Sequence, residues 1–318
     1  MMGDLQFALR TAFIRTPDHI NLRYGWFPAT GKSRGVVVLL NGRSEFLEKY
    51  KEPIGCLNQR GFDVFSFDWR GQGLSSRLLS NPHKGYVKSF GDYLIDLNTC
   101  MDRIVYPKQP GPIILLGHSM GGHMAIRYLH ENFNKDGGNF PSRGNRITCA
   151  VLSSPMLDIH TRPFPAWFVR ILARAMPAAG FEGSYAPGSG DYYPEKQVFD
   201  GNLLTTDPVR YRDHIREIEK NPALAVGGVT FGWLNAAYQS MDRMRHKEFA
   251  ANILLPVLIA GAEGDRIVST EAQKKTASLI PACKFILIKK AMHEILKESD
   301  KIQGPFWFAF DHFVQEIK

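Results

Sequence analysis

The stretch PIILLGHSMGGHMAIRYLHENF, residues 112–133, decides the reading of this chain. Its first part, Pro112 to Leu116, is a short apolar run between proline and glycine, the pattern of a strand buried on both faces. Its last part, from Met120 onward, has the length of a helix. Between them lies Gly117-His118-Ser119-Met120-Gly121, followed by Gly122. A G-x-S-x-G is short enough to arise by chance; a strand directly before it and a helix directly after it give it meaning. That context holds the serine in a strained turn, and small neighbours let the chain fold tightly around it. The following helix aims its N-terminal N–H groups and positive dipole end at the serine, which favours a developing oxyanion. Ser119 is the candidate nucleophile.

Similar apolar runs occur on both sides: GVVVLL (35–40), FDVFSF (62–67), ITCAVLS (147–153), LLPVLIAG (254–261) and KFILIKK (284–290). Each reads as a strand buried on both faces of a parallel sheet. Residues near 5–14 and 20–28 alternate polar and apolar, which predicts two antiparallel strands. Helix-length segments at 91–106, 120–133 and 269–279 lie between the runs. This alternation predicts an α/β fold, a mostly parallel central sheet flanked by helices. One gap breaks the rhythm. From Asp158 to about Phe249 no such run appears, while prolines and aromatic clusters abound. A structureless loop of that length is improbable in a compact domain. The expected organisation is a core from 1–157 and 250–318, with 158–249 inserted as a mainly helical cap.

A serine hydroxyl needs a base. Among ten histidines, His118 adjoins the serine, but its side chain is directed elsewhere by the turn. His123 and His130 fall on the helix. His293 follows the last strand run and comes after both serine and acid in the chain, the order this arrangement uses. The acid must hold the imidazole and stabilise its charged form. Asp265 sits at the carboxyl end of the penultimate strand, where open α/β sheets place their sites. Asp158 and Glu263 are its rivals; Asp68 precedes the nucleophile and more naturally braces loops. The expected oxyanion donors are the backbone N–H groups of Met120 and Arg43, the latter in the loop Asn41-Gly42-Arg43-Ser44 after GVVVLL. The Arg43 side chain has two candidate partners, a substrate phosphate or a local carboxylate such as Glu45.

Together these residues resemble the α/β-hydrolase superfamily over essentially the whole chain, and within it the bacterial lysophospholipases and the related monoacylglycerol lipases of the serine aminopeptidase branch. GHSMG is one of several segments that carry the likeness. NGRSEFLEKY (41–50) looks like that family's oxyanion loop, GFDVFSFDWRGQGLSSR (61–77) like its D-x-R-G-x-G-x-S loop, and AMHEILKESD (291–300) like its histidine loop. NPHKGYVKSFGDYLIDL (81–97) is similar to the lysophospholipase subgroup. Asn41 stands where many relatives have histidine. The resemblance implies a serine ester hydrolase that releases a fatty acid from a single-chain lipid, foremost a lysophospholipid, with no metal or cofactor. The alternatives are a monoacylglycerol lipase, a general carboxylesterase, an aminopeptidase or a non-enzymatic binder.

In the cap, HTRPFPAWFVRILARAM (160–176) places Phe164, Trp167 and Phe168 at helical spacing among Arg162, Arg170 and Arg174, with no acid. A basic amphipathic helix suits either an anionic lipid surface or the cover of an acyl pocket. VTFGWLNAAY (229–238) adds Phe231 and Trp233 as candidates for the opposite wall.

The 318 residues, 44% of them hydrophobic, exclude disorder. Four scattered cysteines exclude a disulfide scaffold and suit a reducing compartment. The excess of 39 basic over 31 acidic residues, +8, matches no nucleic-acid motif; Gly31-Lys32-Ser33 precedes its strand and reads as a turn. No protein partner is implied. The N-terminus lacks the pattern of a signal peptide, and no window is apolar enough for a membrane helix. The expected location is cytoplasmic, with at most peripheral contact at the inner face of the membrane.

Overall fold

The computed structural model describes residues 10–108, 111–132 and 146–317. Thr11–Arg15 (β1), Asn21–Phe27 (β2), Val36–Leu40 (β3), Asp63–Phe67 (β4), Ile113–His118 (β5), Ile147–Ser153 (β6), Val257–Ala262 (β7) and Cys283–Ile288 (β8) form one sheet. Its order is β1-β2-β4-β3-β5-β6-β7-β8. β2 pairs antiparallel with both β1 and β4, and every later pairing is parallel. The expected first strand spans 5–14; its residues 5–9 lie outside the described residues.

The helices are Lys51–Gln59 (α1), Phe90–Cys100 (α2), Tyr106–Lys108 (α3), Met120–Asn132 (α4), Ala166–Ala178 (α5), Pro208–Lys220 (α6), Phe231–Met244 (α7), Lys247–Ala251 (α8), Thr270–Ala277 (α9) and Asp300–Glu316 (α10). A π-helical turn, Met101–Val105, joins α2 to α3.

Successive strand residues face opposite layers. Val36, Val38 and Leu40 join the core under α2, α4 and α7, with Leu97, Met124 and Ala237. Val37 and Leu39 join the other core, under α1 and α10, with Ile54, Leu57, Phe306 and Phe310. All five β3 residues are therefore buried, each worth about 1.5–3 kcal/mol on burial. This two-sided cover explains why β3, β5 and β7 read as unbroken apolar runs. β8 departs from that expectation. It is the edge strand, and its Lys284 and Leu287 are exposed, because a sheet edge lacks a neighbour on one side.

Among the described residues, no strand of the sheet falls between Asp158 and Phe249. α5, α6 and α7 occupy that span, and α8 straddles its end. Isolated bridges Ile159–Val268 and Gly85–Val229 tie the segment to the sheet's loops. No helix among the described residues is long and apolar enough to cross a membrane.

Candidate active site

β5 ends at His118 and α4 begins at Met120, so Ser119 alone makes the turn. Its φ of 51° lies in the left-handed region, a costly conformation for a residue with a side chain. The strain is held from both sides. The Ser119 N–H donates to the Ser153 carbonyl at 3.0 Å, and the Ser119 carbonyl accepts from the N–H groups of His123 and Met156, each at 3.0 Å. The glycines are packing demands. A Cβ on Gly121 would sit 2.0 Å from the Leu40 carbonyl oxygen, and one on Gly117 would sit 2.7 Å from the Gly122 backbone.

The loop after β8 brings His293 to this serine across 174 residues of chain, with Nε2 3.0 Å from Ser119 Oγ. On the other side of the ring, Nδ1 lies 2.8 Å from Asp265 Oδ2. With the Nδ1 proton donated to the carboxylate, Nε2 is free to accept from the serine hydroxyl. Asp265 Oδ1 accepts the N–H groups of Ile267 at 2.9 Å and Val268 at 3.0 Å. Burial pushes the Asp265 carboxyl up, but the hydrogen bond and charge of His293 and those two N–H groups outweigh it, so it stays below its ordinary value.

The rivals lie elsewhere. Asp158 pairs with Arg245 at 2.6 Å. Glu263 accepts the Lys290 N–H at 2.9 Å. Asp68 braces loops as expected, pairing with Arg23 at 2.7 Å and accepting from the Leu47 and Leu74 N–H groups. His118 turns its Nδ1 to the Ser153 carbonyl, 3.1 Å away, and packs its ring 4.9 Å from that of His293. His123 is buried between the Met156 carbonyl and Ser240. His130 stacks on Phe249.

Met120 is the first residue of α4, where a backbone N–H has no partner within the helix. The Arg43 N–H has no acceptor among the described residues. The Arg43 guanidinium makes no ion pair with Glu45. It donates to the Gly227 carbonyl at 3.0 Å and lies over the Trp233 ring, 5.8 Å from its centroid. Burial lowers its pKa.

Glu45 has other work. It accepts the Gly42 N–H, the Tyr50 hydroxyl at 2.6 Å and the Lys49 ammonium at 2.7 Å. Lys49 also bonds Glu294 at 2.6 Å. One buried ammonium thus ties the loop after β3 to the residue following His293. Burial pushes the Glu45 carboxyl up, yet the Lys49 charge, the nearby His118 and the hydrogen bonds of Lys49 and Tyr50 hold it at about 2. Glu45, His118 and Glu294 offer ligand atoms within 4.8 Å of one another, a spacing that suits a cation, and the Lys49 ammonium bonds two of the three. Sequence reasoning did not find this cluster. Its available signals were the i,i+4 spacing of Glu45 and Lys49 and the position of Glu294 beside His293; nothing in the sequence joins the two.

A cavity of about 620 Å³ opens on Ser119 and His293. Met156, Ile159, Trp233, Leu234, Ile267 and Val268 supply apolar lining, and Glu45, Lys49, His118, His214, Tyr192 and Glu294 supply polar lining. Of the five aromatic residues expected to line a pocket, Trp233 does so, its Nε1–H donating to the Tyr93 hydroxyl at 3.1 Å. Phe231 is buried, in the core rather than the cavity wall. Phe164, Trp167 and Phe168 are not in the wall: they stand 41%, 64% and 37% exposed. The physical reason is the orientation of α5. It turns Val169, Leu172, Ala173 and Met176 to the core, which leaves Trp167 and Phe168 outside, with Phe164 in the turn just before the helix.

A strained serine at the end of a parallel strand, a histidine after the last strand and an aspartate after the one before it define an α/β-hydrolase. Residues 31–300 match the family model of the serine aminopeptidases, S33, and the chain belongs to that family. It is similar to lysophospholipase L2 of Escherichia coli strain K12, 33% identical over 93% of this chain and 84% of that one. It is also similar to a probable lysophospholipase L2 of Haemophilus influenzae, 30% identical over 88% of this chain and 84% of the other. Among solved structures, a soluble variant of the monoglyceride lipase of Saccharomyces cerevisiae superposes with a TM-score of 0.71 at 19% identity, over 98% of this chain and 95% of that one. The protein is a carboxylic ester hydrolase.

Proposed function

We propose that this enzyme cleaves the acyl ester of a single-chain lipid, foremost a lysophospholipid, with Ser119, His293 and Asp265 as its catalytic residues. The observation that carries this reading is the continuous relay from Asp265 through His293 to Ser119, opening on a cavity with both apolar and charged lining. The acyl chain occupies the apolar lining and the leaving alcohol faces the polar cluster.

His293 Nε2 takes the Ser119 proton as Oγ attacks the ester carbonyl. The Met120 and Arg43 N–H groups receive the oxyanion, and Asp265 stabilises the imidazolium. Collapse expels the alcohol, which takes the proton from His293 and leaves an acyl-serine. Water, deprotonated by His293, attacks the acyl carbon and returns the fatty acid and free serine. In this reading residues 158–249 are the cap that roofs the cavity.

The exposed face of α5 and the residues at its two ends are the part that meets lipid. Trp167, Phe168 and Ile171 are exposed on the helix, Phe164 just before it and Phe181 just after it. Arg162 and Arg174 are exposed beside them, and no acid lies between His160 and Phe181. Aromatic and basic residues along one helix and its flanks favour a peripheral seat on an anionic surface.

Fatty-acid release from lysophospholipids and monoacylglycerols of equal chain length tests the substrate reading, with Ser119→Ala as control. Release confined to monoacylglycerols would replace the substrate, and release by Ser119→Ala would overturn the nucleophile.

A further inference from the structure

The loop that carries His293 is not held by the sheet alone. Four contacts fasten it to residues 204–206, within the proposed cap. The Glu294 N–H donates to the Leu204 carbonyl at 2.8 Å. Thr205 Oγ1 donates to the Lys297 carbonyl at 2.8 Å. The Thr206 N–H reaches the Glu298 carboxylate at 3.1 Å, and the Thr206 hydroxyl donates to it as well. On its other side the same carboxylate accepts the Met292 N–H at 2.8 Å, the residue directly before His293.

Glu298 is fully buried, and among the described residues no cation pairs with it. Its charge is offset by three neutral donors, two of them from Thr206. A buried carboxylate is costly unless hydrogen-bonded, so withdrawing Thr206 would leave it underbonded and loosen its hold on Met292. The rest of Glu298 is anchored. Its carbonyl accepts from Gln303 Nε2 at 2.9 Å, and Gln303 in turn accepts from Trp307 Nε1 at 2.8 Å, within the α10 packing. The carboxylate therefore has a base anchored in α10 and joins Met292 to Thr206 of the proposed cap.

We infer that Glu298 is a positioning residue for the base, holding Met292 and His293 in register with Ser119 while Thr206 is docked, so that seating of the cap and readiness of the triad are coupled. This rests on the reading of His293 as the base. Misplacing a catalytic group by about 1 Å can cost on the order of 100-fold, so the latch has leverage on the reaction without touching substrate.

The test uses the full chain and a fluorophosphonate that labels Ser119 without needing an acyl pocket. Thr206→Val removes one donor and keeps the backbone contact; Glu298→Gln keeps one acceptor oxygen and removes the charge. Labelling rate and kcat should fall about tenfold for Glu298→Gln and about threefold to fivefold for Thr206→Val, with KM within about twofold. Thr206→Ser should restore both rates. Melting temperatures are read alongside. Variants that melt earlier yet label and turn over at the wild-type rate well below their transition would overturn the inference, because a purely structural contact predicts that result. If Glu298→Gln fails to fold, the Thr206 pair decides. A wild-type chain that is never labelled would instead overturn the assignment of Ser119 and His293.

Discussion

His293 Nε2 stands 3.0 Å from Ser119 Oγ although the two residues lie 174 positions apart, one after the interior strand β5 and the other after the edge strand β8. The sheet order places β5, β6, β7 and β8 side by side and parallel, so the loops that follow them emerge at the same edge. Asp265 reaches the same imidazole from the loop after β7. Removing any member of this relay should be felt by all. Ser119→Ala should abolish ester turnover, and Asp265→Asn should lower kcat by about 10⁴-fold by favouring the wrong histidine tautomer. Steady-state kinetics with a soluble ester checks both. An Asp265→Asn enzyme within tenfold of wild type would remove Asp265 from the assignment.

Gly121→Ala should prevent the elbow from forming as it stands. The new Cβ would lie 2.0 Å from the Leu40 carbonyl oxygen and 2.6 Å from that of Asn41, both backbone atoms of the strand-to-loop junction. Moving that junction shifts the Arg43 loop, so the variant should lose stability by about 1–3 kcal/mol and activity disproportionately. Thermal melts beside kinetics measure the two effects.

Lys49→Met should destabilise the fold by about 3–5 kcal/mol, since it strands Glu45 and Glu294 as buried carboxylates without their shared cation. Adding Glu294→Gln should recover part of the loss. Urea unfolding midpoints of the single and double variants provide the comparison; no recovery would mean that the cost lies in packing around the lysine stem.

Acid should weaken the fold in a defined window. Burial holds His123 at about 3 and His214 at about 4, against an ordinary value of 6.5. Both stay neutral in the folded chain, while the unfolded chain binds protons on them below about pH 6.5. Unfolding therefore takes up protons there, and the stability present above pH 6.5 declines as pH falls toward 4. Urea midpoints between pH 7 and pH 5 should drop, and His123→Gln should flatten the slope. A level wild-type profile would contradict this.

Trp167→Ala combined with Arg174→Glu should weaken binding to anionic vesicles while leaving hydrolysis of a short soluble ester within about twofold of wild type, because neither residue lines the cavity. Added salt should weaken wild-type binding as well. Vesicle sedimentation at two ionic strengths reads out both effects.

Much of this was legible in the one-dimensional pattern. The buried strands announce themselves because a strand covered on both faces must be apolar at every position, as Val36 to Leu40 is. The serine turn announces itself because only glycine fits beside a backbone 2–3 Å away. β8 was legible as a strand but not as an edge, since Leu287 looks the same in a sequence whether or not a neighbour covers it. The aromatic residues of α5 and of the turn before it lie off the cavity for a related reason. Helical spacing reveals that a face exists, not which face turns inward, and here the core took Val169, Leu172 and Met176 while Phe164, Trp167 and Phe168 stayed outside.

Local patterning, set by steric and hydrophobic rules that act within a few residues, was enough to specify the buried strands and the strained serine turn. The Lys49 bridge between Glu45 and Glu294, the Glu298 latch on Thr206 and the choice of cavity wall depend on side chains up to 245 residues apart. No local rule reaches that far; only assembly of the sheet, which brings the loops after its parallel strands to one end, sets which of those groups meet.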